Sequence, residues 1–156
     1  MEIKFIKATK RDFLFLKETD KTCFTSYQQT SDRALLRSIN SSCNEIFIAK
    51  VKNKNKWEKV GFVIIHKYVT TIRIISLAVL PEYRYLKIGN KLIEFCIDFA
   101  RSNSFNMISL EVLATNNNLI EWYEKFGFKT YDYLHDYYEE YVDGFRMRLS
   151  LSTLLQ

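Results

Sequence analysis

The residues best suited to chemistry form a short basic turn between an apolar segment and an amphipathic one. Arg84, Lys87 and Gly89 follow the apolar run that stops at Pro81. The first N–H groups of a helix lack internal partners, and the helix dipole is positive at that end. A strand that enters a helix through such a turn therefore predicts an anion site, and a phosphorylated ligand fits it.

The turn differs from the two best-known phosphate loops. The pattern G-x-x-x-x-G-K-[ST] of a Walker A loop is absent, and so are the three glycines of a dinucleotide fingerprint. The identity of the ligand must therefore come from the rest of the chain.

Hydrophobic periodicity predicts the elements that position the turn. Their order is β-α-α-β-β-β-α-β-α-β-β, which implies a mixed α/β sheet with helices on its faces. Thr9 with Asp12 indicates a helix running to about Asp20, and Ser31 or Asp32 begins the next helix. Strands are expected at residues 3–8, 45–51, 60–68, 71–79, 107–113, 128–133 and 144–151. We expect residues 52–59 to form a solvated hairpin loop, and a tyrosine-rich link to precede the last strand.

Composition narrows the class of protein. The 156 residues, 47% of them hydrophobic, suit one domain spanning 1–156 with a real core. Three cysteines and two histidines are scattered, so we expect neither a metal site nor a disulfide framework. No apolar run reaches about 18 residues, and the N-terminus lacks a leader pattern, so we expect no membrane association and a cytoplasmic location. The net charge of +5 comes without an Arg/Lys stripe interleaved with aromatics, which disfavours nucleic acid.

Residues 84–89, RYLKIG, resemble the R/Q-x-x-G-x-G/A loop of the GNAT superfamily of N-acetyltransferases. That family holds the pyrophosphate of acetyl-CoA in this loop and its pantetheine arm on the preceding strand, which splays from its neighbour. The resemblance implies a cofactor-binding set: Leu77, Ala78, Val79, Arg84, Tyr85, Leu86, Lys87, Ile88, Gly89 and Asn90. One departure is plain, because Lys87 stands where the family has its first loop glycine. Its side chain either adds a phosphate contact or is an ordinary exposed lysine.

A second block lies downstream in the family's order and spacing. Residues 110–116, LEVLATN, followed by Ile120, Tyr123 and the FGF of 126–128, are similar to the L-E-V-R-x-[ST]-N…A-I-x-x-Y-x-x-x-G-F block. That block is typical of the RimI-type ribosomal-protein alanine and other protein N-terminal acetyltransferases. The resemblance implies the GNAT fold, an α/β (α+β) arrangement. Its mixed, mostly antiparallel sheet has six to seven strands, splayed at the cofactor site and flanked by about four helices.

The same resemblance implies residue roles. Glu111 falls on the proposed general base, Tyr123 on the proposed acid that protonates the departing CoA thiolate, and Asn116 on a cofactor contact. Leu113 replaces the family arginine. Read without the family, Glu111 could equally be a strand charge facing water, and Tyr123 could be plain core.

Acyl transfer to an amine needs a neutral nucleophile, a polarised carbonyl and a proton for the thiolate. An α-amino group has a pKa of about 8, so a weak base suffices, and a phenol can reprotonate a thiolate. We expect direct attack without an enzyme nucleophile, with the backbone amide near Val79 as oxyanion donor. Coenzyme A would be the product.

The acceptor is expected at the tyrosine-rich link. Tyr137 and Tyr138, with Asp143 and Gly144, resemble elements of the last hairpin of protein N-terminal acetyltransferases, where the tyrosines contact the acceptor peptide. A protein N-terminus is the first prediction, and a small amine or a lysine side chain stays open. So do a catalytically silent acyl-CoA-binding protein and a homodimer.

Overall fold

The computed structural model describes residues 1–151, and within them the element order is the one expected from the sequence. The strands are β1 (Ile3–Lys7), β2 (Asn44–Asn53), β3 (Lys56–Lys67), β4 (Thr71–Val79), β5 (Met107–Leu113), β6 (Lys129–Glu139) and β7 (Val142–Ser150). The α-helices are α1 (Phe13–Cys23), α2 (Asp32–Asn40), α3 (Ile88–Ser102) and α4 (Asn117–Lys125). Two 3₁₀ helices span Lys10–Asp12 and Pro81–Leu86.

The strands form one sheet in the order β1-β2-β3-β4-β5-β7-β6. The β4–β5 pair is parallel, whereas β1–β2, β2–β3, β5–β7 and β6–β7 are antiparallel. The parallel ladder joins Thr71–Ile74 to Met107–Leu110, and both strands continue beyond it, to Val79 and Leu113. The expected mixed, mostly antiparallel α/β fold is confirmed.

The chain divides into two compact units. The first unit comprises residues 1–66 and 75–96, and the second comprises residues 67–74 and the segment from residue 97 onward. β4 and α3 each contribute residues to both units. No helix within residues 1–151 has the length and apolarity needed to cross a bilayer.

In the first unit, helix caps and strand alternation place the core. Thr9 and Asp12 form the expected capping box, and the Ser31 hydroxyl accepts from the Ala34 N–H at 3.1 Å. These caps satisfy N–H groups that the helix itself leaves without partners. The buried side chains that pack together come from α1, α2 and strands β2–β4: Leu16, Leu35, Ile46, Ile48, Phe62, Ile64 and Ala78.

In the second unit, β5 alternates strictly between two environments. Ile108, Leu110 and Val112 are buried, whereas Ser109 and Glu111 lie on the opposite face. Because the side-chain period of a strand is two, this pattern commits Glu111 to the polar face of the sheet. Asn116 caps α4, and Gly127 follows the helix with a φ of 104°, a conformation that favours glycine.

Two expected links are wrong, because strands extend through them. The hairpin at residues 52–59 tightens to a two-residue turn, in which Lys54 and Asn55 have φ of 50° and 66°. This pair of left-handed residues matches the twist of the flanking strands. Likewise, the tyrosine-rich link is mostly strand, since β6 runs to Glu139 with an irregularity after Leu134. Helix α1 also ends at Cys23, later than Asp20.

Candidate active site

The basic turn of the first unit is a 3₁₀ helix followed by α3. The Arg84 Nε donates to the Val79 carbonyl at 2.9 Å, which fastens the turn to the end of β4. Leu80 N–H donates to the Val60 carbonyl at 2.8 Å and holds the same corner from β3. The N-terminal amides of the 15-residue helix α3 begin directly after this turn, at Ile88. The geometry therefore suits a phosphate group.

Lys87 takes the conformation that explains the glycine of related loops. Its φ of 58° and ψ of 30° lie in the left-handed region, between the 3₁₀ helix and α3. A non-glycine residue there costs about 1–3 kcal/mol of strain. The Lys87 side chain is exposed, so it does not crowd the loop.

Gly61 on β3 and Cys23 on α1 contact the end of β4, and the sequence did not single out either of them. A Cβ on Gly61 would lie 2.5 Å from the Ala78 carbonyl oxygen and 3.2 Å from the Val79 Cα, so only glycine lets β3 approach β4 there. The Cys23 thiol donates to the Val79 carbonyl at 3.4 Å, and burial raises its pKa. An isolated glycine inside an apolar strand pattern was the available signal for Gly61.

Glu111, in the second unit, is held between two arginines. Its Oε1 accepts from Arg73 Nε at 2.9 Å and Nη2 at 2.8 Å, and its Oε2 accepts from Arg146 Nε at 2.8 Å. The Glu111 side chain is only 7% exposed, against about 30% for each arginine. Burial lowers the pKa of Arg73, but Glu111, Tyr137 and Tyr68 together raise it above its usual value. The hydrogen bond to Glu111 raises the pKa of Arg146. This trio is a tight ion cluster in which both carboxylate oxygens are engaged.

The cluster connects to the tyrosine pair. Arg73 Nη2 donates to the Tyr137 hydroxyl at 2.9 Å. The rings of Tyr137 and Tyr138 meet edge to face, with centroids 4.9 Å apart. Both lie against Gly144, where a Cβ would be 3.1 Å from Tyr138 Cε2 and 3.5 Å from Tyr137 Cδ2. The structure thus brings Glu111 and the predicted acceptor tyrosines together through Arg73, which the sequence analysis did not name.

Tyr123 and Asn116 belong to α4 in the same unit. Tyr123 is 6% exposed and packs edge to face against Phe128, with ring centroids 5.5 Å apart. Asn116 is exposed and caps the helix, because its Oδ1 accepts from the Leu119 N–H at 3.2 Å.

The acidic residues of the β6–β7 hairpin hold the hairpin itself. Asp143 accepts from the Tyr133 hydroxyl and from the Asp136 N–H, and Asp136 accepts from the Tyr141 N–H. The Tyr133 hydrogen bond lowers the pKa of Asp143. Atoms of His135, Asp136 and Asp143 lie within 4.8 Å of one another, at an exposed position. The carboxylates of Asp136 and Asp143 are therefore engaged in hydrogen bonds within the hairpin turn.

Comparison with known proteins identifies the class. Residues 13–128 match the Acetyltransferase (GNAT) family, and the chain belongs to that family. It is 40% identical over 67 residues to "Probable N-acetyltransferase san" of Drosophila melanogaster, which covers 42% of this chain and 36% of that protein. It is 35% identical over 80 residues to an "N-alpha-acetyltransferase" of Sulfurisphaera tokodaii, covering 50% and 47%. The chain spans about half, or less, of the length of these relatives.

Solved structures share the fold over nearly the whole chain. The ribosomal-protein-S18-alanine N-acetyltransferase from Escherichia coli aligns with a TM-score of 0.85 at 20% identity, covering 97% of this chain and 95% of that one. Ard1 from Thermoplasma volcanium aligns with a TM-score of 0.85 at 21% identity, covering 97% and 99%.

Proposed function

We propose that this protein transfers the acetyl group of acetyl-CoA to the α-amino group of a protein or peptide N-terminus. The observation that carries the proposal is the tyrosine pair seated on Gly144, with the Tyr137 hydroxyl fixed by Arg73. A rigid aromatic pair with a polar tip suits an extended peptide. Family membership and the N-alpha-acetyltransferase relative point to the same chemistry.

The basic turn of the first unit would hold the pyrophosphate of acetyl-CoA. Backbone amides from Tyr85 to Asn90 supply the donors, with Arg84 bracing the turn through Val79. The turn suits a pyrophosphate because α3 begins directly after the left-handed residue Lys87. The first amides of α3 are therefore at the turn, where they can donate to phosphate oxygens. Leu77, Ala78 and Val79 at the end of β4 would carry the pantetheine arm, with the Val79 amide as oxyanion donor.

Acetyl-CoA supplies an activated acetyl group: the amine nitrogen bonds to the thioester carbon, the carbon–sulfur bond breaks, the amine loses a proton and the thiolate gains one. An α-amino group is substantially neutral near pH 8, so its proton can pass to water. Tyr123, a buried residue of α4, is the group that we assign to protonate the thiolate.

We assign Glu111 a positioning role in place of the base role that the resemblance implies. A carboxylate whose two oxygens already accept from Arg73 and Arg146 would have to break an ion pair before it took up a proton. By holding Arg73, Glu111 fixes the Tyr137 hydroxyl.

The charge of this sheet face disfavours a polyamine acceptor. Arg73 and Arg146 meet a single carboxylate, Glu111. Two carboxylates of the hairpin, Asp136 and Asp143, already accept backbone hydrogen bonds of the turn. A peptide with one α-amine suits this face better than a chain of ammonium groups.

The experiment is thiol release from acetyl-CoA across peptides with free N-termini, the same peptides N-terminally blocked, and polyamines. We expect release only with free N-termini. Release with blocked, lysine-containing peptides or with polyamines would assign another acceptor. Acetyl-CoA binding without release for any amine would make the chain a silent binder.

A further inference from the structure

Arg146 has donors that its ion pair does not use. It meets Glu111 through Nε alone, at 2.8 Å, whereas Arg73 uses both Nε and Nη2 on the same carboxylate. Within residues 1–151, no hydrogen bond or ion pair engages the two terminal nitrogens of Arg146. Its side chain is 30% exposed. A half-exposed guanidinium fork of this kind is a ready receptor for a second carboxylate.

The surroundings of Arg146 are electropositive. Strand register places Ser109 opposite both Arg73 and Arg148, and Glu111 opposite Arg146, so these side chains share one face of β4, β5 and β7. The Cζ of Arg148 lies over the Tyr131 ring, 4.4 Å from its centroid. Three guanidinium groups thus face one carboxylate.

Asp132 lies near Arg146 in the sheet but does not form an ion pair with it in the described part of the chain. Asp132 on β6 is the register partner of Arg146. The strand register is irregular between Thr130 and Asp132, at the position where this ion pair is absent. The excess positive charge on the face is therefore not cancelled from β6.

The Arg146 fork lies beside the predicted acceptor contact. Glu111 links Arg146 to Arg73, and Arg73 holds the Tyr137 hydroxyl. After the hydrogen bond to Glu111, the nearby Tyr131 and Tyr137 also raise the pKa of Arg146. An acceptor lying along Tyr137 would have its first residues within reach of the fork.

We propose that Arg146, supported by Arg148, selects acceptors that carry a carboxylate close to the reacting amine. The proposal rests on the proposed function and names its acceptor class. The carboxylate has two chemical sources: an acidic side chain in the first residues of a peptide, or the α-carboxylate of a free amino acid. Both would bind the same fork, and the arms of the test separate them.

The test measures kcat and KM for acceptors matched in shape. One arm compares two peptides that differ only by Glu or Gln at the second residue, and the other compares alanine with alaninamide. We expect the carboxylate-bearing member of one pair to be preferred by roughly tenfold or more in kcat/KM, mainly through KM, with the preference shrinking as salt rises.

Arg146→Gln should reduce that preference to under about twofold, and Arg146→Glu should reverse it toward a lysine at the second residue. Arg101→Gln removes the same charge from an exposed position on α3 and is the control, expected to keep the preference. Acetyl-CoA binding and thermal unfolding of each variant verify folding.

Equal rates within both pairs, or a preference that survives in Arg146→Gln, would overturn the inference while leaving N-terminal acetylation standing. If the unmodified protein transferred acetyl to no free amine, both the proposed function and this inference would be overturned. Thiol release by the unmodified protein measures that outcome separately.

Discussion

Arg146 and Glu111 form a one-sided ion pair: the Arg146 Nε lies 2.8 Å from Glu111 Oε2, while Glu111 Oε1 belongs to Arg73. The relationship changes the role expected for the carboxylate, because a carboxylate whose two oxygens accept from two arginines acts as an anchor. It also ties three strands, β4, β5 and β7, through one side chain.

Glu111→Gln separates the anchor role from the base role. We expect a loss of about 1–3 kcal/mol in the free energy of unfolding, since two half-buried arginines lose their counter-ion. Acceptor KM should rise, with kcat lowered by less than about tenfold and the pH–rate profile unchanged in shape. Loss of a general base would instead lower kcat by roughly 10²–10⁴. Urea unfolding and kcat across pH 6–9 measure this, with the exposed Glu121→Gln on α4 as control.

Tyr123→Phe tests the acid role. The ring packing against Phe128 is retained, so we expect the stability and acetyl-CoA affinity to change little. The turnover number should fall by roughly 10²–10⁴ because the leaving thiolate lacks its proton donor. Tyr141→Phe removes a hydroxyl from a side chain that is 86% exposed and serves as the matched control. A turnover number equal to that of the control would refute the acid assignment.

Two substitutions that differ by one methyl group, Lys87→Gly and Lys87→Ala, test the backbone strain and the charge at Lys87. Lys87→Gly should raise the free energy of unfolding by up to about 1 kcal/mol, because it relieves a left-handed residue at some cost in chain entropy. Lys87→Ala removes the charge and keeps the Cβ, so it should not. If the ammonium adds a phosphate contact, both variants weaken acetyl-CoA binding and reduce its salt dependence; if it is only an exposed lysine, neither does. A stability gain in the alanine variant equal to that in the glycine variant would contradict the strain argument.

Much of the fold was predictable because local signals agree with the tertiary structure. A few adjacent residues determine each of three features: the capping box of Thr9, the alternation of β5 and the left-handed conformation of Gly127. The basic turn before α3 is likewise a local feature of the sequence. What failed were the extents of β2, β3 and β6, where cross-strand pairing carried polar stretches into the sheet. Local propensity contains no information on such a partner.

The candidate site was less predictable, since its key contacts join residues far apart in the chain. Arg73, Glu111 and Arg146 come from three strands, and only strand register makes them neighbours. The sequence motif singles out Glu111 alone and suggests a general-base role for it. The contact between Arg148 and the Tyr131 ring likewise has no local signal in the sequence.

Gly61→Ala should distort the end of β4. The new Cβ would meet the Ala78 carbonyl at 2.5 Å, so backbone must move, at a cost of about 1–3 kcal/mol in stability. Acetyl-CoA affinity should fall too, because Val79 is displaced. Calorimetric binding of acetyl-CoA and urea unfolding measure both effects, and unchanged values for both would show that β3 and β4 need no close approach there.

Thiol reactivity should follow burial. Cys43 is exposed, whereas burial raises the pKa of Cys23, and that of Cys96 to about 12. Because the thiolate is the reactive form, at pH 8 Cys43 should be alkylated first and Cys96 only on unfolding. Peptide mapping after timed iodoacetamide treatment ranks the three, and early labelling of Cys96 would contradict the packing of α3.

The most direct measurement is the site of acetylation on one peptide that has both a free α-amine and an internal lysine. Incubated with acetyl-CoA and this protein, the peptide is sequenced by tandem mass spectrometry. The account predicts a single acetyl group on the α-amine, and its loss in Tyr123→Phe. Acetyl on the lysine with the α-amine untouched would contradict it.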